Sequence, residues 1–226
     1  MAVSENGSRP LFSPSPLCAI CDADACERAG WTLVDFASAC LEGGARFLQV
    51  RAKRASGRWL LDAATAIVGR ADAAGALVVV NDRPDIARLA GATGVHVGQD
   101  DLGPAAARTI AGADAIVGLS AHTSDQIDAA VCQPVSYIAI GPVFSTATKA
   151  TLYAAVGLDR VREAAGKAAA RGLPVVAIGG ITLDRASEVL EAGARSVAVI
   201  TDLLSTGDPE ARVRAYLALA ARHVRR

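Results

Sequence analysis

The chain has 226 residues, 52% of them apolar and 4% aromatic, with 23 Lys and Arg against 23 Asp and Glu. That length and apolar content allow a sizeable core and exclude an intrinsically disordered chain. The balanced charge excludes the basic footprint of a nucleic-acid or anionic-membrane binder, and a homo-oligomer is compatible with it.

The stretch 1–15 is rich in Ser, Pro and Gly and lacks the cationic start and apolar run of a signal peptide. It reads as a flexible tail ahead of one catalytic domain over 16–226. No apolar run is long enough to span a bilayer. The first apolar run, LCAIC (17–21), carries Cys18 and Cys21, with Cys26 close behind. No second CxxC and no nearby histidine completes a zinc site. Five cysteines are an odd number, so a buried-thiol role in a cytoplasmic protein is expected.

Further apolar, β-branched runs follow: FLQV (47–50), ALVVV (76–80), GVHV (94–97), AIVGL (115–119), YIAI (137–140), PVVAI (174–178) and SVAVI (196–200). Helically spaced segments lie between and after them, at 33–43, 58–73, 84–90, 103–110, 124–131, 158–170, 183–192 and 209–222. Continuous rather than alternating apolar runs indicate strands covered on both faces, as in a parallel sheet. Strand then helix, eight times over, predicts an α/β fold, a single (β/α)₈ TIM barrel, with a doubly wound open sheet as the competing arrangement.

In such a barrel chemistry sits where strands end, and the residues there are polar. Gln49, Arg51 and Lys53 end the second run, Asn81 and Asp82 the third, and Gln99, Asp100 and Asp101 the fourth. Ser120 and His122 follow the fifth. The sixth opens into GPVFSTATK (141–149), and the last two lead into AIGGIT (177–182) and VITD (199–202). Arg51, Lys53, Lys149, the hydroxyls of Ser120, Thr146 and Thr148, and the amides of Gly179-Gly180 suit an anion. Asp82 and Asp101 would repel that anion unless a hard cation lay between them, and Mg²⁺ is the natural choice. Each aspartate has a plainer role open to it as the cap of the next helix. His96, inside an apolar run, reads as a satisfied core histidine. His122 is either a general acid–base or a loop anchor.

Seven segments in this order, LQVRAK (48–53), VNDR (80–83), GVHVGQDD (94–101), GLSAH (118–122), GPVFSTATK (141–149), AIGGI (177–181) and VAVIT (197–201), resemble the thiamine phosphate synthase family over about residues 16 to 222. The resemblance implies a (β/α)₈ barrel that joins hydroxymethylpyrimidine diphosphate to hydroxyethylthiazole phosphate, or its carboxylated form, releasing pyrophosphate. It further implies that Gln49, Arg51, Lys53, Asn81, Ser120 and Lys149 hold the pyrimidine diphosphate and that Asp82 and Asp101 hold Mg²⁺. The thiazole phosphate would meet Thr146, Ala147, Thr148, Gly180, Ile200 and Thr201. Arg51, Lys53, Lys149 and Ser120 would serve the departing diphosphate.

Thr201 stands where serine is common, and KATLYAAVG (149–157) lacks the usual polar, Pro-containing segment. Two rival readings remain. One is a thiazole tautomerase of the same superfamily, which needs an acid–base such as His122. The other is a non-catalytic binder of phosphorylated ligands.

Overall fold

The computed structural model describes residues 12–146 and 154–224. Eight strands, β1 (Leu17–Asp22), β2 (Phe47–Arg51), β3 (Leu77–Asn81), β4 (Gly94–Val97), β5 (Ile116–Ala121), β6 (Tyr137–Ile140), β7 (Val175–Ile178) and β8 (Ser196–Val199), pair in parallel with their chain neighbours. β8 returns to β1, with Leu17 opposite Val197, so the sheet closes into a barrel. The open-sheet alternative is therefore excluded.

Around it run α1 (Ala23–Arg28), α2 (Leu33–Glu42), α3 (Gly57–Ala73), α4 (Pro84–Leu89), α5 (Pro104–Ala111), α6 (Ser124–Val131), α7 (Gly157–Ala169), α8 (Leu183–Glu191), α9 (Thr201–Leu204) and α10 (Pro209–Val224). Helix α1, of six residues, and α9, of four, fall outside the eight segments expected from periodicity. Each lies between a strand and the longer helix that covers it, so a strand-then-helix alternation has no place for it.

Local chemistry sets several of these boundaries. The Thr123 hydroxyl accepts from the Gln126 amide while the Gln126 side chain bonds back, a capping box that starts α6. Ser56 caps α3 through the Trp59 amide. Thr182 stands at the start of α8 but makes no side-chain cap bond. In EGGAR and EAGAR the left-handed glycines are Gly44 (φ 100°) and Gly193 (φ 103°), each just past its helix.

The core has two shells. Side chains such as Leu48, Val80, Val95, Val117 and Ile138 face outward and pack under the helices. Cys18, Ile20, Phe47, Val79, Tyr137, Ala139, Val176 and Ala198 face inward and fill the barrel. The expected tail, 1–15, lies outside the described residues up to position 11. From Phe12 the chain is packed: its ring meets Phe47 and Tyr137 with centroids 5.5 Å away in each case. Both partners begin their strands, so Phe12 closes the barrel's N-terminal end. Among the described residues no helix is long and apolar enough to cross a membrane.

Candidate active site at the C-terminal end of the barrel

The inward-facing positions change character along each strand. At the N-terminal end they are apolar, as in Cys18, Phe47 and Tyr137. Two or four residues later on β1 to β5 come Asp22, Gln49, Arg51, Asn81, His96 and Ser120, pointing into the same lumen at its other end. The period of two that fills the barrel also aims its polar crown.

A cleft of about 610 Å³ opens there. Gln49, Arg51, Lys53, Asn81, Asp82, Asp101, Ser120, Thr146, Gly180, Ile200 and Thr201 all line it. The remaining expected site residues, Ala147, Thr148 and Lys149, lie outside the described residues. The cleft's volume falls in the range of small-molecule sites.

The basic residues are held by carboxylates. Asp22 is only 3% exposed; one oxygen caps α1 through the Ala25 amide at 2.9 Å, and the other pairs with Arg51. A buried carboxylate needs both kinds of partner, and this one fixes the Arg51 guanidinium at the cleft wall. Sequence reading missed Asp22: an acid at the end of LCAICD was visible, but nothing linked it to an arginine 29 residues away. Strand register makes the link, because Asp22 and Arg51 are neighbours across β1 and β2.

Lys53 pairs with Asp82, whose carboxyl also meets that of Asp101. Burial is the largest influence on Asp82 and pushes its carboxyl above the ordinary range. The Lys53 bond pulls it down and the Asp101 contact pushes it back up. Neither aspartate caps a helix: Arg83 precedes α4 and Gly103 precedes α5, both without a side-chain cap bond. Asp101 instead accepts the Gly98 amide at 2.8 Å, which holds its carboxylate beside Asp82. Two hard, touching carboxylates in a cation-bearing cleft fit a divalent cation. Mg²⁺ is one such ion, since it binds through one or two carboxylates and completes its shell with water and phosphate oxygens. No group of three or more His, Cys, Asp or Glu able to hold a metal occurs among the described residues.

The opposite wall is built by the loops after β6, β7 and β8. Val143 and Phe144 donate to the Ile178 and Gly179 carbonyls at 2.8 and 3.0 Å, lacing the first two loops together. Gly180 has φ 63°, and a Cβ there would lie 2.6 Å from the Ser145 carbonyl oxygen, so only glycine fits this crossing. Asp202 ties the next loop in, accepting from the Leu183 amide, the Tyr216 hydroxyl at 2.6 Å and Arg212 Nε and Nη2, each at 3.0 Å. Arg185 also lines the cleft and escaped sequence reading; its guanidinium sits 4.7 Å over the Phe144 ring and bonds the Gly180 carbonyl.

Of the histidines, His122 bonds the Gly141 carbonyl through Nδ1, so a loop-anchoring role is realised. His96 is buried and satisfied by Tyr137 and Ser120, as its place in an apolar run suggested. All five cysteines are free thiols. Burial holds those of Cys18, Cys21, Cys26 and Cys40 protonated, with Cys26 pushed up to about 12.

Fold and cleft together define a class: a single (β/α)₈ barrel with basic residues, hydroxyls and a carboxylate pair gathered at its C-terminal mouth. Residues 17–203 match the thiamine monophosphate synthase family. A thiamine-phosphate synthase of Koribacter versatilis is 44% identical over 203 residues, covering 89% of this chain and 93% of that protein. One from Azorhizobium caulinodans is 39% identical, covering 78% and 82%. Among solved structures, a thiamine phosphate pyrophosphorylase from Pyrococcus furiosus superposes with a TM-score of 0.83 at 28% identity, over 93% of this chain and 97% of that one. The chain belongs to the thiamine monophosphate synthase family.

Proposed function

We propose that this barrel works as a thiamine-phosphate synthase, joining hydroxymethylpyrimidine diphosphate to hydroxyethylthiazole phosphate. The enzyme is a transferase of small molecules. The observation that carries the reading is the touching pair Asp82 and Asp101 beside Lys53, in the same cleft as Arg51 and Ser120. An acidic pair among anion-binding groups suits a place where a cation and a phosphorylated ligand meet.

In the reaction the C–O bond between the pyrimidine methylene and the diphosphate breaks, and the diphosphate leaves with the electron pair. The lone pair of the thiazole nitrogen then forms the new C–N bond. Asp82 and Asp101 are the residues that would hold Mg²⁺, which when bound supplies positive charge to the diphosphate as it departs. Arg51, oriented by Asp22, and Lys53 bring further cationic charge to the same end, and Ser120 brings a hydroxyl. Lys149 joins them in this reading. Gln49, more than nine-tenths buried, and Asn81 offer amides to the edge of the pyrimidine. Gly180, Ile200 and Thr201, with Thr146, Ala147 and Thr148, receive the thiazole phosphate.

The thiazole nitrogen is already nucleophilic, so no side-chain base is needed and alignment is the protein's main task. That suits a cleft whose polar groups are clamps. The reducing environment implied by five free thiols supports a cytoplasmic location.

The test supplies both substrates to the purified protein with and without Mg²⁺ and measures thiamine phosphate and pyrophosphate. Equal amounts of both products, formed only with the metal, are expected. A folded protein that makes neither overturns the proposal. Metal-independent isomerisation of the thiazole that is lost in His122→Ala would instead establish the tautomerase, and ligand binding without turnover the non-catalytic binder.

A further inference from the structure

Two buried polar side chains that the proposed reaction does not use, His96 and Tyr137, connect through the barrel interior to Ser120, which it does use. His96 on β4 bonds Tyr137 on β6 through Nδ1 at 2.9 Å and Ser120 on β5 through Nε2 at 2.9 Å. All three line the cleft; Tyr137 is 1% exposed and His96 7%, while Ser120 is only partly buried. The two rings are stacked, 5.6 Å between centroids.

The contact between β4 and β6 passes over β5, and a glycine permits it. Gly118 lies opposite His96 on one side and Tyr137 on the other. A Cβ there would occupy the space of the Tyr137 ring and hydroxyl and of His96 Nδ1. The space for the chain is thus built into the strand between.

Hydrogen-bond accounting then gives the chain a direction. The Tyr137 hydroxyl has no other hydrogen-bond partner among the described residues. Were it to accept from the imidazole, a fully buried O–H would be left without an acceptor, at the whole desolvation penalty. It therefore donates to Nδ1. The neutral imidazole then carries its proton on Nε2 and donates to the Ser120 oxygen. Burial pushes the phenol well above its ordinary range, so this donor persists. Ser120 Oγ, having accepted from His96, has no other hydrogen-bond partner among the described residues, and its own proton points to the cleft. Its backbone is pinned as well, since the Gln99 amide donates to the Ser120 carbonyl at 2.5 Å.

We infer that Tyr137 and His96 are positioning residues that set Ser120 as a hydrogen-bond donor to the diphosphate. The direction of the chain stands on the geometry alone; its target rests on the synthase reading. A hydroxyl left to rotate would present a lone pair to an anion part of the time. The relay removes that option and makes Ser120 the fixed neutral donor among the cations.

Two measurements test this, neither requiring turnover. Nitrogen-15 NMR of the imidazoles at mildly alkaline pH, with His96 assigned by its loss in His96→Asn, is expected to show the Nε2–H form; the Nδ1–H form overturns the inference. Binding of inorganic pyrophosphate with Mg²⁺ should weaken about tenfold in Ser120→Ala, the effect of one charge-assisted hydrogen bond, and roughly threefold in Tyr137→Phe. In the double variant Tyr137→Phe should add nothing to the loss from Ser120→Ala. Additive losses, or a wild type that does not bind pyrophosphate, overturn the inference. If Tyr137→Phe does not fold, the tautomer of the wild type decides. A wild type that shows the relay and binds pyrophosphate yet makes no thiamine phosphate would overturn the synthase reading alone.

Discussion

Asp82 has φ 62°, the one non-glycine residue with positive φ among those described. That conformation costs on the order of 1–3 kcal/mol and persists only where surrounding contacts hold it. Here the Asp82 amide donates to the His96 carbonyl at 2.7 Å and its carboxyl meets Lys53 and Asp101. The turn aims a carboxylate into the cleft instead of onto the helix that follows, which is why the capping role open to it in the sequence is not taken. Asp101→Asn separates function from stability. Asparagine still accepts the Gly98 amide, so unfolding should shift by less than about 1 kcal/mol. Turnover should fall about 100-fold, with more Mg²⁺ needed for half-maximal rate. Steady-state kinetics and denaturant unfolding measure the two, and an unchanged rate removes Asp101 from the metal site.

At the scale of elements, neighbouring helices are joined by side chains that lie far apart in sequence. Ser124 at the start of α6 donates to Glu163 on α7, and Lys167 reaches Ser124, Asp128 and Glu163 at 2.9, 2.7 and 2.9 Å. The Ser124 bond first, then Lys167, hold the Glu163 carboxyl down at about 2. A depressed carboxylate contributes stability that is complete above its ordinary value of 4.5 and is lost as pH falls through about 2. Glu163→Gln should therefore destabilise at neutral pH and progressively less through that window, read by urea unfolding across the pH series. A pH-independent difference would refute the linkage. On the catalytic side Asp202 plays the joining part, gathering α8, α9 and α10 behind Gly180 and Thr201. Tyr216→Phe removes one of its donors and should cost about 1–2 kcal/mol in thermal unfolding.

For the whole molecule, closure of the sheet turns eight separate strand ends into one ring. Opposite walls carry different chemistry: Arg51, Lys53, Asp82 and Asp101 on one, the laced glycine loops on the other. A ligand held by groups from several strand ends, on either wall, binds only the closed barrel and must stabilise it. Pyrophosphate with Mg²⁺ at a hundredfold excess over its dissociation constant should add about 2.7 kcal/mol to unfolding, and chelation of the metal should remove most of it. Thermal melts with and without chelator measure this. No shift in either condition would mean that the cleft does not take up the pair.

Eight strands, eight of the ten helices and the barrel class were legible from the sequence, because doubly covered strands read as continuous apolar runs and long helices repeat their apolar face. The polar strand ends were legible too, since position relative to a strand is a one-dimensional property. Two short helices were not, because each lies between a strand and the longer helix already assigned to it. Nor was Asp22 as the partner of Arg51, the service of Asp202 and Arg185, or the meeting of Tyr137 and His96 across Gly118. Each of these depends on which strands and loops stand side by side and in what register. Local propensity carries no record of that, and only the closed barrel decides it.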